Sequence, residues 1–214
     1  MDIAQFIDHT DLKPEASESD IINLCKQARK YGFKNVCINP FYVKKASQML
    51  SDANTGVCSV VGFPLGADIT SIKIKEAAEC LKDGADELDM VINIGAFKSG
   101  DSNLVRDEIV QIKKIAKDKI LKVIIETGLL SDKEIIKACR IIEESKADFI
   151  KTSTGFLGSG PTEQTIRLLK ETVKENTAIK ASGGINSFKK AVKMIEAGAE
   201  RIGSSSSVRI MLKE

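Results

Sequence analysis

Glu87-Leu88-Asp89-Met90-Val91-Ile92, the helical stretch Val105–Lys117 and Leu121-Lys122-Val123-Ile124-Ile125-Glu126 decide how this chain folds. The two outer segments are short, apolar and rich in β-branched residues, as strands buried on both faces are. Between them, Ile109, Ile112, Ile115 and Ala116 fall on one face of a helix. Strand, amphipathic helix and strand make the βαβ unit of a parallel sheet.

The same alternation runs through the rest of the chain. Strand-like runs recur at Phe6–His9, Asn35–Ile38, Val57–Gly62, Asp148–Thr152, Ile179–Ser182 and Arg201–Ser204. Amphipathic stretches lie at Ser19–Tyr31, Ile72–Asp83, Lys133–Glu144, Glu163–Lys174 and Phe188–Ala197. Tyr31-Gly32-Phe33, Asp83-Gly84-Ala85 and Ala197-Gly198-Ala199 each place a glycine where a helix stops, ready for a left-handed cap. Eight units in 214 residues come close to the ~30 residues of a βαβ repeat. The expected class is therefore α/β: a (β/α)₈ TIM barrel spanning residues 1–214 as a single domain. An open doubly wound sheet is the weaker alternative, since no Gly-x-Gly-x-x-Gly follows the first strand.

Composition narrows the chemistry. Hydrophobic residues make up 43 % and charged residues 29 %, with a net charge of +2. Nothing in that balance points to nucleic acid or a membrane surface. Met1–Lys13 lacks the basic start and apolar run of a secretory signal, and no apolar run approaches a membrane span. Five cysteines without a Cys-x-x-Cys pair read as reduced core thiols of a cytoplasmic protein. The single histidine, His9, excludes a multi-histidine metal site. No metal and no cofactor is expected, and catalysis falls to Lys, Asp, Glu, Ser, Cys or backbone groups.

Barrels carry their chemistry at the C-terminal strand ends. Lys151, in Phe149-Ile150-Lys151-Thr152-Ser153, and Lys180, in Ala178-Ile179-Lys180-Ala181-Ser182, occupy matching places on neighbouring strands. Two ammonium groups in one desolvated pocket lower the pKa of at least one, and a neutral amine attacks a carbonyl. Two structural lysines paired with buried carboxylates are the bland alternative. Asp89, inside its strand, is either a proton shuttle facing both lysines or a salt-bridge partner. Lys122 and Glu126 share a parity and are expected to form a supporting ion pair. His9 reads as a hydrogen-bonded structural residue. Cys37, near the mouth of its strand, reads by default as a small core residue, with a thiol able to meet a reactive aldehyde.

Two turns follow the last strands: Ser182-Gly183-Gly184-Ile185-Asn186 and Gly203-Ser204-Ser205-Ser206-Ser207. Gly183, Gly184, Gly203, Ser205 and Ser206 offer backbone N–H groups and hydroxyls to a phosphate, as the last loops of barrels often do. Thr152-Ser153-Thr154-Gly155-Phe156 follows Lys151 directly, so Thr152 and Gly155 join the candidate set.

Ile7-Asp8-His9-Thr10, Val36-Cys37-Ile38-Asn39-Pro40, Val61-Gly62-Phe63-Pro64-Leu65-Gly66 and Glu87-Leu88-Asp89-Met90-Val91 run in the order of one known family. So do Lys122-Val123-Ile124-Ile125-Glu126-Thr127, Phe149–Phe156 and Lys180-Ala181-Ser182-Gly183-Gly184-Ile185. Over nearly its whole length the chain resembles the deoxyribose-phosphate aldolases. The resemblance implies a class I, metal-independent enzyme that cleaves 2-deoxy-D-ribose 5-phosphate reversibly to D-glyceraldehyde 3-phosphate and acetaldehyde. Lys151 would form the Schiff base, Lys180 would perturb it, and Asp89 would move protons. It also implies a homo-oligomer, dimer or tetramer, in deoxynucleoside catabolism. Asn186 stands where the family usually carries arginine. Another lysine Schiff-base aldolase or transaldolase, or a non-catalytic phosphosugar-binding barrel, are the competing readings.

Overall fold

The computed structural model describes residues 2–174 and 176–213; Met1 and Glu214, the ends of the 1–214 reading, and Glu175 lie outside them. Eight strands close into a barrel: β1 (Ile7–Asp11), β2 (Asn35–Ile38), β3 (Gly56–Val61), β4 (Glu87–Val91), β5 (Ile120–Ile124), β6 (Phe149–Lys151), β7 (Ala178–Ser182) and β8 (Arg201–Ser204). Every neighbouring pair is parallel, and Asp8↔Gly203 and His9↔Ser204 close the ring. The helices are α1 (Glu18–Tyr31), α2 (Val43–Leu50), α3 (Thr70–Lys82), α4 (Ile94–Lys98), α5 (Ser102–Ala116), α6 (Asp132–Glu144), α7 (Glu163–Thr172), α8 (Phe188–Glu196) and α9 (Ser207–Met211). The barrel expectation holds, strand for strand.

Period-two alternation divides the buried residues. Leu88 and Met90, Leu121 and Val123, Ile150, and Ile179 and Ala181 belong to the main apolar core, together with Val105, Ile109 and Ile112 of α5. The alternate residues Glu87, Asp89, Lys122, Lys151 and Lys180 are buried too, yet charged. They face the inside of the barrel, where a small apolar group of Leu12, Cys37, Cys58 and Val60, with Phe63 against it, fills the remaining space.

Local signals set the helix ends. Ser17 and Asp20 form a reciprocal capping box at the start of α1, and Gly32 ends that helix at φ +67°. Gly84 and Gly198 likewise take positive φ. Helices α2, α4 and α9 were not among the sequence-derived segments. At five residues each, α4 and α9 are too short to show a period, whereas α2 does place Val43, Ala46 and Leu50 on one face and was missed. The strand read as Leu121–Glu126 stops at Ile124, because Glu126 turns into the left-handed region at φ 53°.

Candidate active site

Strand parity sends four cations and three carboxylates into the barrel. Asp89 on β4 is the hub: its Oδ2 accepts from Lys151 Nζ and Lys180 Nζ at 2.7 Å each, and its Oδ1 from Lys122 Nζ at 2.7 Å. Lys180 also donates to Asp8 Oδ2. Lys122 lies 2.6 Å from Glu87 Oε2. Arg201 Nη1 donates to Asp8 Oδ1 and Glu87 Oε2 at 2.8 Å each. The Asn35 amide bridges the same two carboxylates at 2.8 and 2.9 Å.

Electrostatics follow from that packing. Burial alone raises Asp89 and Asp8, but the surrounding cations outweigh it and hold both carboxyls below the usual range. Burial alone lowers Lys180 and Lys122, yet the facing carboxylates outweigh it and hold both ammonium groups high. The expected repulsion between two lysines is therefore not what governs Lys180. Its charge is fixed by Asp8 and Asp89, and closure of the ring through β8 brings Asp8 of β1 to Lys180 of β7.

One cation differs from the other three. Lys151 lines a cavity of about 370 Å³ over the C-terminal strand ends. Lys122, Lys180 and Arg201 are not among its lining residues. Gly155, Gly183, Gly184, Gly203, Ser205 and Ser206 line the same cavity, so the expected turns and Lys151 share one space. Gly203 also makes room below: a Cβ there would stand 3.2 Å from Lys180 Cε and 2.9 Å from Ser182 Cβ. Asn186 faces the cavity, and Lys190 Nζ donates to the Gly184 carbonyl at 2.7 Å.

Other candidates sit elsewhere. Lys122 does not pair with Glu126; with Glu126 in its left-handed turn, strand parity no longer aligns them. Glu126 accepts instead from Thr154 N at 3.0 Å and Thr154 Oγ1 at 2.5 Å, tying down the loop after Lys151. Thr152 joins β6 to β7, donating to Ser182 O and accepting from Ser182 N at 3.0 Å each. Cys37 is fully buried beside Cys58 and Asp89 rather than at the mouth. His9 lines the cavity and pairs through Nε2 with Gln27 Oε1 at 2.8 Å.

Two sets of donor atoms converge closely enough for a metal ion among the described residues, Cys37/Cys58/Asp89 and Asp8/Cys58/Glu87. Their carboxylates already hold ammonium or guanidinium groups, so the positive charge a metal would bring is in place. Asp8, Glu87, Arg201 and Asn35 escaped the sequence reading. Asn35 and Glu87 carried a signal, a polar residue opening an otherwise mostly apolar strand. Asp8 and Arg201 sit in strands that are largely polar or small, Ile7-Asp8-His9-Thr10-Asp11 and Arg201-Ile202-Gly203-Ser204, and do not stand out there.

A family model described as DeoC/LacD family aldolase matches residues 3–212. The chain belongs to the DeoC/LacD family of aldolases. Among its relatives, the deoxyribose-phosphate aldolase of Thermococcus gammatolerans is 53 % identical, over 99 % of this chain and 96 % of that one. That of Caldicellulosiruptor saccharolyticus is 52 % identical, over 100 % and 98 %. The deoxyribose phosphate aldolase of Aeropyrum pernix, described as having a unique tetrameric structure, superposes with a TM-score of 0.92 at 37 % identity, covering 98 % of this chain and 89 % of that one. No helix among the described residues of this DeoC/LacD aldolase is long and apolar enough to cross a membrane.

Proposed function

We propose that this aldolase cleaves 2-deoxy-D-ribose 5-phosphate reversibly to D-glyceraldehyde 3-phosphate and acetaldehyde through a Schiff base on Lys151. One observation carries the choice of lysine: of the four cations on the Asp89–Asp8–Glu87 cluster, Lys151 alone opens onto the cavity. With Lys151 as a free amine, three cations remain on three carboxylates, so the nucleophilic form leaves the interior charge-balanced.

The amine adds to C1 of the open-chain sugar, and loss of water gives an iminium ion. Deprotonation of the C3 hydroxyl breaks the C2–C3 bond and sends its electron pair toward the iminium nitrogen. Glyceraldehyde 3-phosphate leaves, and the enamine is protonated and hydrolysed to acetaldehyde. Asp89 moves the protons, directly or through water. Lys180 and Lys122 keep it ionised between steps. The Gly183–Gly184 and Gly203–Ser206 turns bind the phosphate. The protein acts in the cytoplasm as a single-domain homo-oligomer, a dimer or tetramer, a reading supported by the tetrameric Aeropyrum pernix relative.

Borohydride reduction with acetaldehyde, followed by peptide mass mapping, tests this directly. The expected product is a two-carbon adduct on Lys151. An adduct on Lys180 reverses the roles, and no adduct on either lysine removes the mechanism.

A further inference from the structure

Two thiols inside the barrel take no part in this chemistry. Cys37 on β2 and Cys58 on β3 are direct register partners. Cys58 Sγ lies 3.1 Å from Asp89 Oδ1, and Cys37 Sγ lies 3.9 Å from Asp89 Oδ2. Both sulfurs and an Asp89 oxygen lie within 4.8 Å of one another. Paired strands run roughly 4.8 Å apart, inside the ~4.4–6.8 Å between α-carbons that a disulfide spans. A disulfide holds its Cβ atoms about 3.5–4.5 Å apart, so side-chain rotation with a slight closing of the two strands brings sulfur to sulfur.

We propose that Cys37 and Cys58 are an oxidisable dithiol, which hydrogen peroxide converts to an intramolecular disulfide that disables the site at Asp89. The cavity reaches Lys151, which shares with the buried Cys37 the same Asp89 oxygen, so a small oxidant in the cavity comes within one side chain of the Cys37 sulfur. The Cys37 sulfur attacks one peroxide oxygen, the O–O bond breaks, and the hydroxide that leaves takes the thiol proton to become water. The Cys58 sulfur then displaces the hydroxyl of the Cys37 sulfenic acid, which departs with the Cys58 proton as a second water. Two thiols lose two electrons, and one peroxide gains them.

Cys37 is set apart from the other four cysteines. Burial pushes the Cys25 and Cys80 thiols up to about 11, Cys139 up to about 12 and Cys58 well above its ordinary value. The hydrogen bond with Cys58 outweighs burial at Cys37 and draws that thiol down. Asp89 would lose the Cys58 donor in the oxidised form. A metal ion is the less fitting occupant, because Lys122 Nζ already lies 3.3 Å from Cys58 Sγ.

The test treats the whole purified chain with hydrogen peroxide, alkylates and digests it, and follows cleavage of 2-deoxyribose 5-phosphate before and after dithiothreitol. Expected are a linked Cys37–Cys58 peptide, a loss of two hydrogens per chain, and a fall in rate that dithiothreitol restores. Cys58→Ala and, independently, Cys37→Ser should form no such link and hold their own starting rates longer under peroxide. Irreversible oxidation of Cys37 alone, earlier oxidation of Cys25, Cys80 or Cys139, or a complete link with undiminished rate would each overturn the proposal. Link formation is read by mass alone, whereas failure of the aldolase assignment would appear as no cleavage by the untreated chain.

Discussion

Lys151 and Lys180 share one acceptor, each donating to Asp89 Oδ2 at 2.7 Å. Lys180 has a second carboxylate, Asp8, on its other side, and Lys151 has the cavity. The two lysines sit at paired register positions on adjacent strands, so their difference arises from what the other six strands bring to them.

Replacement of the two should therefore give opposite signatures. Lys151→Ala is expected to abolish cleavage while thermal unfolding stays cooperative, since it removes the surplus cation and leaves the remaining charges matched. Lys180→Met leaves Asp8 with one partner fewer inside the barrel. Removing one member of a buried pair costs about 3–5 kcal/mol, so a clearly lowered unfolding midpoint accompanies its loss of rate. Equal destabilisation by the two variants would contradict the charge count.

Asp8 is the least obvious residue in the cluster and gives a sharp stability prediction. Its carboxylate receives Lys180, Arg201 and Asn35. Asp8→Asn should cost about 3–5 kcal/mol in urea unfolding and lower kcat through the loosened Lys180. An unchanged midpoint would mean that the cations re-pair with Glu87 at little cost.

Lys190 stands behind the Gly184 turn with its ammonium on a carbonyl oxygen. A phosphate there would gain a charged partner, and a charge-assisted hydrogen bond is worth about 1.5–3 kcal/mol. Lys190→Ala should raise KM for 2-deoxyribose 5-phosphate by about tenfold, the equivalent of ~1.4 kcal/mol. KM for unphosphorylated 2-deoxyribose should not move. A parallel rise for both sugars would assign Lys190 to turn structure rather than to phosphate.

His9 supplies a pH prediction. Burial lowers its pKa below the ordinary 6.5, against a smaller opposing effect of its bond to Gln27. In the window between that lowered value and 6.5, the unfolded chain binds a proton that the folded chain does not. Stability is thus fully present above 6.5 and declines as pH falls through the window, levelling off below the folded value. Urea midpoints between about pH 8 and pH 5 should show this step, and His9→Gln should lose it. As the chain has one histidine, its imidazole proton resonances report the titration without assignment.

The chain's own order of residues settled the barrel and pointed to the residues that the fold gathers inside it. Alternating β-branched runs and amphipathic stretches dictate a parallel sheet wrapped in helices, because only that arrangement buries both faces of each strand. Lys151, Lys180 and Asp89 were legible as charged residues within apolar strands, and the two final turns by their place after the last strands. Tertiary structure decided their partners. Asp8, Glu87 and Arg201 meet because the ring closes β1 onto β8, and in-register pairing then brings distant strands to one interior point. Whether Lys122 meets Glu126 or Asp89 turned on one left-handed residue, which a side-chain pattern does not encode. Which lysine touches solvent was likewise fixed by packing, since two identical side chains in matching sequence contexts differ only in what surrounds them.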